Sequence, residues 1–238
     1  MRVLFLTFYY EPDLCAGSFR SSALVGSILK LLPKGSVIDV VSTLPNRYSS
    51  FSVDAPEIES KAGLRIRRVA LPTHNSGMID QSRAFAVYAR EALRYSRKER
   101  YDIVFSTSSR LMTAALGAYI ARKKNIPLYL DIRDIFVDTI KDVLPRKAAK
   151  VMAPLFSLVE KWAVNSAAKV NIVSEGFRGY FSERYPNALL SVFTNGIDDD
   201  FLRSQPLKEV RIEQFPVQVV YAGNVGEQQS LHHAQLAL

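Results

Sequence analysis

Residues 1–20 read MRVLFLTFYYEPDLCAGSFR, and this stretch decides the fold. Val3–Phe8 is a short apolar run rich in β-branched and aromatic residues, which reads as a buried strand. It leads into Tyr9-Tyr10-Glu11-Pro12-Asp13-Leu14-Cys15-Ala16-Gly17-Ser18, after which a helical pattern covers Ser18–Leu32. A strand-to-helix turn of small residues lets backbone N–H groups approach an anion at the helix N-terminus. A tight βα turn without a ligand has the same sequence. Only Gly17 stands where a G-x-G-x-x-G fingerprint needs three glycines, so a nicotinamide role is not expected.

The same alternation continues outward. Further strands are predicted at Val37–Ser42, Leu64–Leu71, Ile103–Ser106, Pro127–Asp131, Lys169–Val173, Leu190–Thr194 and Val217–Ala222. Helices are predicted at Ile79–Lys98, Arg110–Lys124, Lys150–Ala167, Glu175–Arg184 and from Ser230 onward. Strand and helix repeated this often specify βαβ units, hence a doubly wound, Rossmann-like α/β fold around a parallel sheet. The near-continuous hydrophobicity of the strands fits burial on both faces. The polar segment Pro45–Ala62 reads as a surface loop. A charged, proline-bearing, aperiodic stretch near Asp198–Phe215 reads as a linker. The expected division is a first domain over 1–205, then linker and an incomplete second domain over 206–238.

Asp131-Ile132-Arg133-Asp134 closes the fifth predicted strand, at the sheet edge where parallel sheets bind ligands. Two readings stand: the aspartates cap or pair with Arg133, or the charges orient a sugar hydroxyl and shift a carboxylate. On the helix Ile79–Lys98, Arg83, Arg90, Arg94 and Arg97 fall within roughly 60° of arc at about 100° per residue. This stripe is either a solvated face or a contact for an anionic membrane surface.

Composition narrows the classes. The chain has 238 residues, 48% hydrophobic and 23% charged, which suffices for a sizeable core. Its net charge of +8 suits an acidic partner or a plain basic surface. A single cysteine, Cys15, excludes an intrachain disulfide and suits a reducing cytoplasm. The apolar N-terminal run lacks a small-residue cleavage site, and no stretch approaches the roughly 18 apolar residues of a membrane span. His74 stands alone and His232-His233 are adjacent, so no metal site is expected. Neither G-x-S-x-G nor G-x-x-x-x-G-K-[ST] occurs, which removes the hydrolase elbow and the P-loop.

In order, these segments resemble the retaining glycosyltransferases of the GT-B fold, family 4 ("group 1"), and most closely its bacterial surface-polysaccharide subset. Tyr9 to Arg20 resembles the opening Y-Y-P-P-E-x-G-x-G-x-x-R. Arg133-Asp134 with Phe136 resembles R-D-L-W. Glu160-Lys161-Trp162 through Ala168, with Val170–Ser174, resembles E…AD-x-V…VS. Phe193-Thr194-Asn195-Gly196-Ile197-Asp198 resembles P-N-G-(I/V)-D, and Tyr221-Ala222-Gly223-Asn224-Val225-Gly226 resembles the second domain's first strand and glycine turn. Cys15 replaces the first glycine of the opening loop, and Ile135, Phe136 and Val137 replace Leu, Trp and Pro. The histidine that many members carry near this strand has no counterpart, so Asp134 takes part of its place.

The resemblance implies transfer of a sugar from a nucleotide-diphosphate donor to a glycan or lipid-linked acceptor, with retention and without a metal or other cofactor. Nucleic acid is not an implied partner. It implies Asp134 and Arg133 as the catalytic pair. Asp13, Ala16, Gly17, Arg20, Asn195, Gly223, Asn224 and Gly226 would bind donor or acceptor, with Arg20 as a positive charge near the Gly17 turn. Arg83, Arg90, Arg94 and Arg97 would face a membrane, placing the protein in the cytoplasm, peripheral to the inner face. The diphosphate cations, the base pocket and the E-x7-E motif would belong to the second domain, so this chain alone is expected to be inactive. A sugar-nucleotide 2-epimerase and a non-catalytic sugar- or membrane-binding domain are the alternatives.

Overall fold

A computed structural model describes residues 1–46, 54–72, 77–108, 110–138 and 146–196. In chain order its elements are β1 (Arg2–Leu6), α1 (Ala16–Leu31), β2 (Val37–Thr43), β3 (Ile58–Lys61), β4 (Leu64–Val69) and α2 (Met78–Arg97). There follow β5 (Ile103–Thr107), α3 (Leu111–Lys124), β6 (Leu128–Ile132), α4 (Arg146–Asn165), β7 (Lys169–Ile172), a 3-10 turn (Glu175–Phe177), α5 (Arg178–Arg184) and β8 (Leu190–Val192).

The strands form one sheet in the order β3-β4-β2-β1-β5-β6-β7-β8. Every pairing is parallel except β3 with β4, an antiparallel edge. The chain winds outward from β1 to one side and then, through β5, to the other. The strand order therefore reverses between β1 and β5.

The side chains of β1 show why both faces are covered. Leu4 and Leu6 enter the core that contains Tyr88 and Ala92 of α2, Ala114 and Ala118 of α3, and Ala163 and Val164 of α4. Val3 and Phe5 point the other way, into a second core with Val25, Ile38, Val40 and Ile66, against which Leu24, Ile28 and Leu29 of α1 pack. In that second core Phe5, Phe105 and Tyr129 stack across β1, β5 and β6 at 4.7 and 4.8 Å between centroids. Burying each such side chain stabilises the fold by about 1.5–3 kcal/mol. On the opposite face α3 comes so close to β5 that a Cβ on Gly117 would lie 2.6 Å from Ser106 Cβ. A glycine is required there.

The predicted strands and helices are present within a few residues of their expected limits wherever the structure describes them. Two details differ. The expected loop Pro45–Ala62 contains strand β3, and the expected helix Glu175–Arg184 opens as a 3-10 turn. Strand β3 escaped the pattern because its burial is intermediate or exposed throughout and Ile58 is exposed, so no apolar alternation marks it. It is held by pairing with β4 and by Arg68, a buried residue that donates to the carbonyls of Glu11 and Pro56 and to the Glu59 carboxylate. Met1–Gly196 is one compact unit. The expected linker near Asp198–Phe215, strand Val217–Ala222, terminal helix, and Gly223, Asn224 and Gly226 lie outside the described residues, as do His74, His232 and His233.

Candidate functional site

At the C-terminal edge of the sheet, a cleft of about 320 Å³ is lined by Tyr9, Cys15, Ala16, Gly17, Arg133, Asp134, Val173 and Asn195. It gathers the segments that follow β1, β6, β7 and β8. Parallel topology is the reason: each of these strands ends on the same side.

The opening turn is built by burial of its aromatics. Phe8, Tyr9 and Tyr10 are all buried, and the Thr7 hydroxyl donates to the Tyr9 carbonyl at 2.8 Å. Helix α1 then starts at Ala16 with Cys15 as N-cap; no side chain caps it, and no acidic residue lies in its first turn. Its leading N–H groups lack helical partners and carry the positive end of the helix dipole.

Arg133 lies directly over this turn. Its Nη2 donates to the Ala16 carbonyl at 2.9 Å, while its backbone N–H donates to the Ser108 hydroxyl at 3.0 Å. A Cβ on Gly17 would sit 3.1 Å from Arg133 Nη1, so the glycine permits the close approach. Nη1 is itself buried and makes no hydrogen bond among the described residues. Burial pushes the Arg133 guanidinium down from its ordinary value. Asp131 and Asp134 oppose this, and Arg20 adds to it by repulsion. A cation so placed gains from an anion.

Asp134 is exposed to the cleft, yet the surrounding protein displaces enough water to lift its carboxyl above the ordinary carboxylate range, against the pull of Arg133. The raised carboxyl is a better proton acceptor than a free surface aspartate.

Arg20 differs from its expected role as a cation near the turn. It is buried, and all five of its N–H donors are used. Nε and Nη2 hold the two oxygens of Asp131 at 2.9 and 2.7 Å; Nη2 also reaches the Phe193 carbonyl, and Nη1 reaches the Thr194 carbonyl and Asn195 Oδ1. Asn171 completes the cluster by donating to Asp131 Oδ1 at 2.7 Å. Arg20 therefore pins the segment after β8 to the cleft and positions Asn195. Asp131 pairs with Arg20, not with Arg133.

Asp13 is also buried and is not among the cleft residues; its carboxylate accepts from the Asn46 backbone N–H at 3.2 Å. The four arginines of α2, Arg83, Arg90, Arg94 and Arg97, are exposed and lie outside the cleft, and Glu91 approaches Arg90 and Arg94 at 3.5 and 4.0 Å. Ala84, Tyr88 and Ala92 on the other face of α2 are fully buried. Tyr9 and Val173 were not singled out from sequence. Tyr9 is one residue of an aromatic run, and only the fold shows which ring meets the cleft.

Among the described residues, no cluster of three or more His, Cys, Asp or Glu could hold a metal ion. None of their helices is long and apolar enough to cross a membrane.

Comparison with solved structures gives the same architecture. Part of a sucrose-phosphate synthase from Thermosynechococcus elongatus is similar with a TM-score of 0.56 and 11% identity, over 85% of this chain and 93% of that one. LpCGTa, solved with UDP, is similar at 0.50 and 12% identity, over 86% of this chain and 57% of that one. Anabaena HepE, solved with UDP-glucose, scores 0.45 at 15% identity, with 47% of its length covered. At such low identities the first two likenesses establish the fold only, that of GT-B glycosyltransferases. Among curated proteins none matches in sequence. The model of the glycosyl transferase 4-like domain matches residues 34–196, from the turn before β2 to the end of the described unit, and the chain belongs to that family.

Proposed function

We propose that this domain is the acceptor-side half of a retaining glycosyltransferase that uses a nucleotide-diphosphate sugar and delivers the sugar to a glycan or lipid-linked hydroxyl. The observation that carries the proposal is the meeting, in one cleft, of the uncapped α1 N-terminus, the unpartnered Arg133 Nη1 and the Asp134 carboxylate. In the reaction, the bond from the anomeric carbon to the diphosphate oxygen breaks. The acceptor oxygen bonds to that carbon on the same face, and its proton passes to the departing phosphate oxygen. The helix N-terminus and Arg133 stabilise the charge that develops on the diphosphate, without a metal. Asp134 accepts a hydrogen bond from a sugar hydroxyl and holds it for attack. Asn195, fixed by Arg20, supplies a further polar contact. A cytoplasmic protein resting on the inner membrane face through its basic surface fits such an acceptor.

The test is release of free nucleoside diphosphate from a panel of nucleotide sugars, measured on the protein as its cell makes it, with and without acceptor. A transferase releases nucleotide in proportion to acceptor. Release that ignores the acceptor, with interconversion of the sugar, identifies an epimerase instead. Binding without release identifies a non-catalytic domain.

A further inference from the structure

Beside the cleft lies a second cavity, about 590 Å³, between the N-terminal turns of α2 and α3 and one face of α4. Its walls are largely apolar, with Phe85, Leu111, Met152, Phe156 and Val159 among them, and Phe136 packs edge-on against Phe156 at 5.3 Å. Two links join this groove to the cleft. Asp134 lines the cleft and Phe136, next but one in the chain, lines the groove. Tyr9 lines the cleft, and its hydroxyl accepts at 3.1 Å from Nη2 of Arg110, which lines the groove.

Arg110 is held differently from Arg20. Its guanidinium lies 3.9 Å over the Phe8 ring and it pairs with no carboxylate among the described residues, so most of its donors are available at the junction. On the outer side of α4, Val151, Leu155, Leu158 and Trp162 are exposed at helical spacing, with exposed Lys150 and Lys161 beside them. Leu155 belongs both to this stripe and to the groove. Apolar side chains flanked by lysines match a lipid surface with anionic head groups. The sequence of environments is therefore an apolar outer stripe, an apolar groove, a cation, then the polar cleft.

We infer that the groove holds the hydrocarbon chain of a lipid-phosphate-linked acceptor, with Arg110 on its phosphate and its sugar in the cleft. The identity of the polar head rests on the transferase reading; the binding of chain and phosphate does not. The order of chain, phosphate and sugar in such a molecule is the order of groove, cation and cleft. A groove of this size and character is in the usual range for small-molecule sites.

Titration calorimetry on the whole chain tests this with farnesyl diphosphate, farnesol below its aggregation limit, and inorganic diphosphate. Farnesyl diphosphate should saturate a single site at least tenfold more tightly than either fragment. Ala86→Trp, at an exposed position on the groove wall, should fill the groove and weaken farnesyl diphosphate and farnesol alike. Ser82→Trp does the same from the preceding turn of α2 if the first variant folds poorly. Arg110→Gln should weaken farnesyl diphosphate roughly tenfold or more, as for loss of a charge-assisted hydrogen bond, and leave farnesol unchanged. No saturable binding would overturn the inference. Binding indifferent to the groove-filling and Arg110 variants would overturn it equally. Farnesol carries neither phosphate nor sugar, so failure of the farnesol arm is separate from failure of the transferase reading.

Discussion

Arg20 and Asp131, 111 residues apart in sequence, form a buried two-pronged ion pair with bonds of 2.9 and 2.7 Å. It joins helix α1 to the end of β6, and through the Phe193 and Thr194 carbonyls it also fixes the segment after β8. Removing one partner strands a buried charge, so Asp131→Ala or Arg20→Ala should lower stability by about 3–5 kcal/mol. Arg20→Lys should recover only part of this, since an ammonium cannot span both oxygens. Urea unfolding of the four proteins measures it. A loss below 1 kcal/mol for both alanine variants would refute the pinning role.

Gly17 separates function from stability. Its backbone is not left-handed, so a side chain there strains nothing locally and must only displace Arg133 Nη1. Gly17→Ala should keep or slightly raise the melting temperature, because alanine favours the helix. Gly17→Leu should move the guanidinium and weaken nucleoside diphosphate binding with little thermal change. If binding and stability fall together, the glycine serves packing alone.

Asp134 gives a prediction with a definite sign. Its carboxyl is raised in the folded protein, so the native state holds the proton to higher pH than the unfolded chain does. The stability it contributes is then greatest below the unfolded carboxylate value and falls as pH rises through the native one. Asp134→Asn should therefore melt at the same or a higher temperature than wild type at pH 7, with the gap closing towards pH 3. Acceptor-dependent nucleotide release should meanwhile drop by about 10²-fold or more if the carboxylate positions a hydroxyl. A variant that loses stability at pH 7 contradicts this assignment.

Glu160, buried under α5, accepts from Tyr185 at 2.6 Å and from Tyr180 at 2.9 Å on one oxygen. Burial lifts its carboxyl and the tyrosine bonds only partly offset this. Glu160→Gln retains an acceptor oxygen and should fold well, with stability that depends less on pH above the ordinary carboxylate range. Glu160→Ala leaves two hydroxyls unpaired and should cost about 1–3 kcal/mol. Equal behaviour of the two variants would remove the hydrogen-bond explanation.

How much of this was legible in the sequence depended on range. The strands of the parallel sheet announce themselves through continuous apolar runs such as Val3–Phe8, because both faces are covered. Gly17 and Arg133-Asp134 were readable as strand-end residues, and parallel topology alone requires them to share an edge. Strand β3 carries no such signal, since pairing of its backbone with β4 places no demand on its side chains. The partners of Arg20 escape the sequence for a related reason. Proximity in sequence to the Gly17 turn suggested a ligand-facing charge, whereas its partners lie on β6 and beyond β8 and appear only once the sheet is assembled. Arg133, far from the turn in sequence, is the cation that lies against it.

The central claim is that the Gly17 turn and Arg133 together receive a diphosphate. The most direct measurement is the amide resonance of Gly17, with that of the Arg133 side chain Nε, during titration with a nucleoside diphosphate. Both should shift saturably with one binding constant, and Arg133→Gln should abolish the response at Gly17 while leaving the rest of the spectrum folded. Shifts confined to other parts of the chain, or a Gly17 response unchanged in Arg133→Gln, would contradict the account.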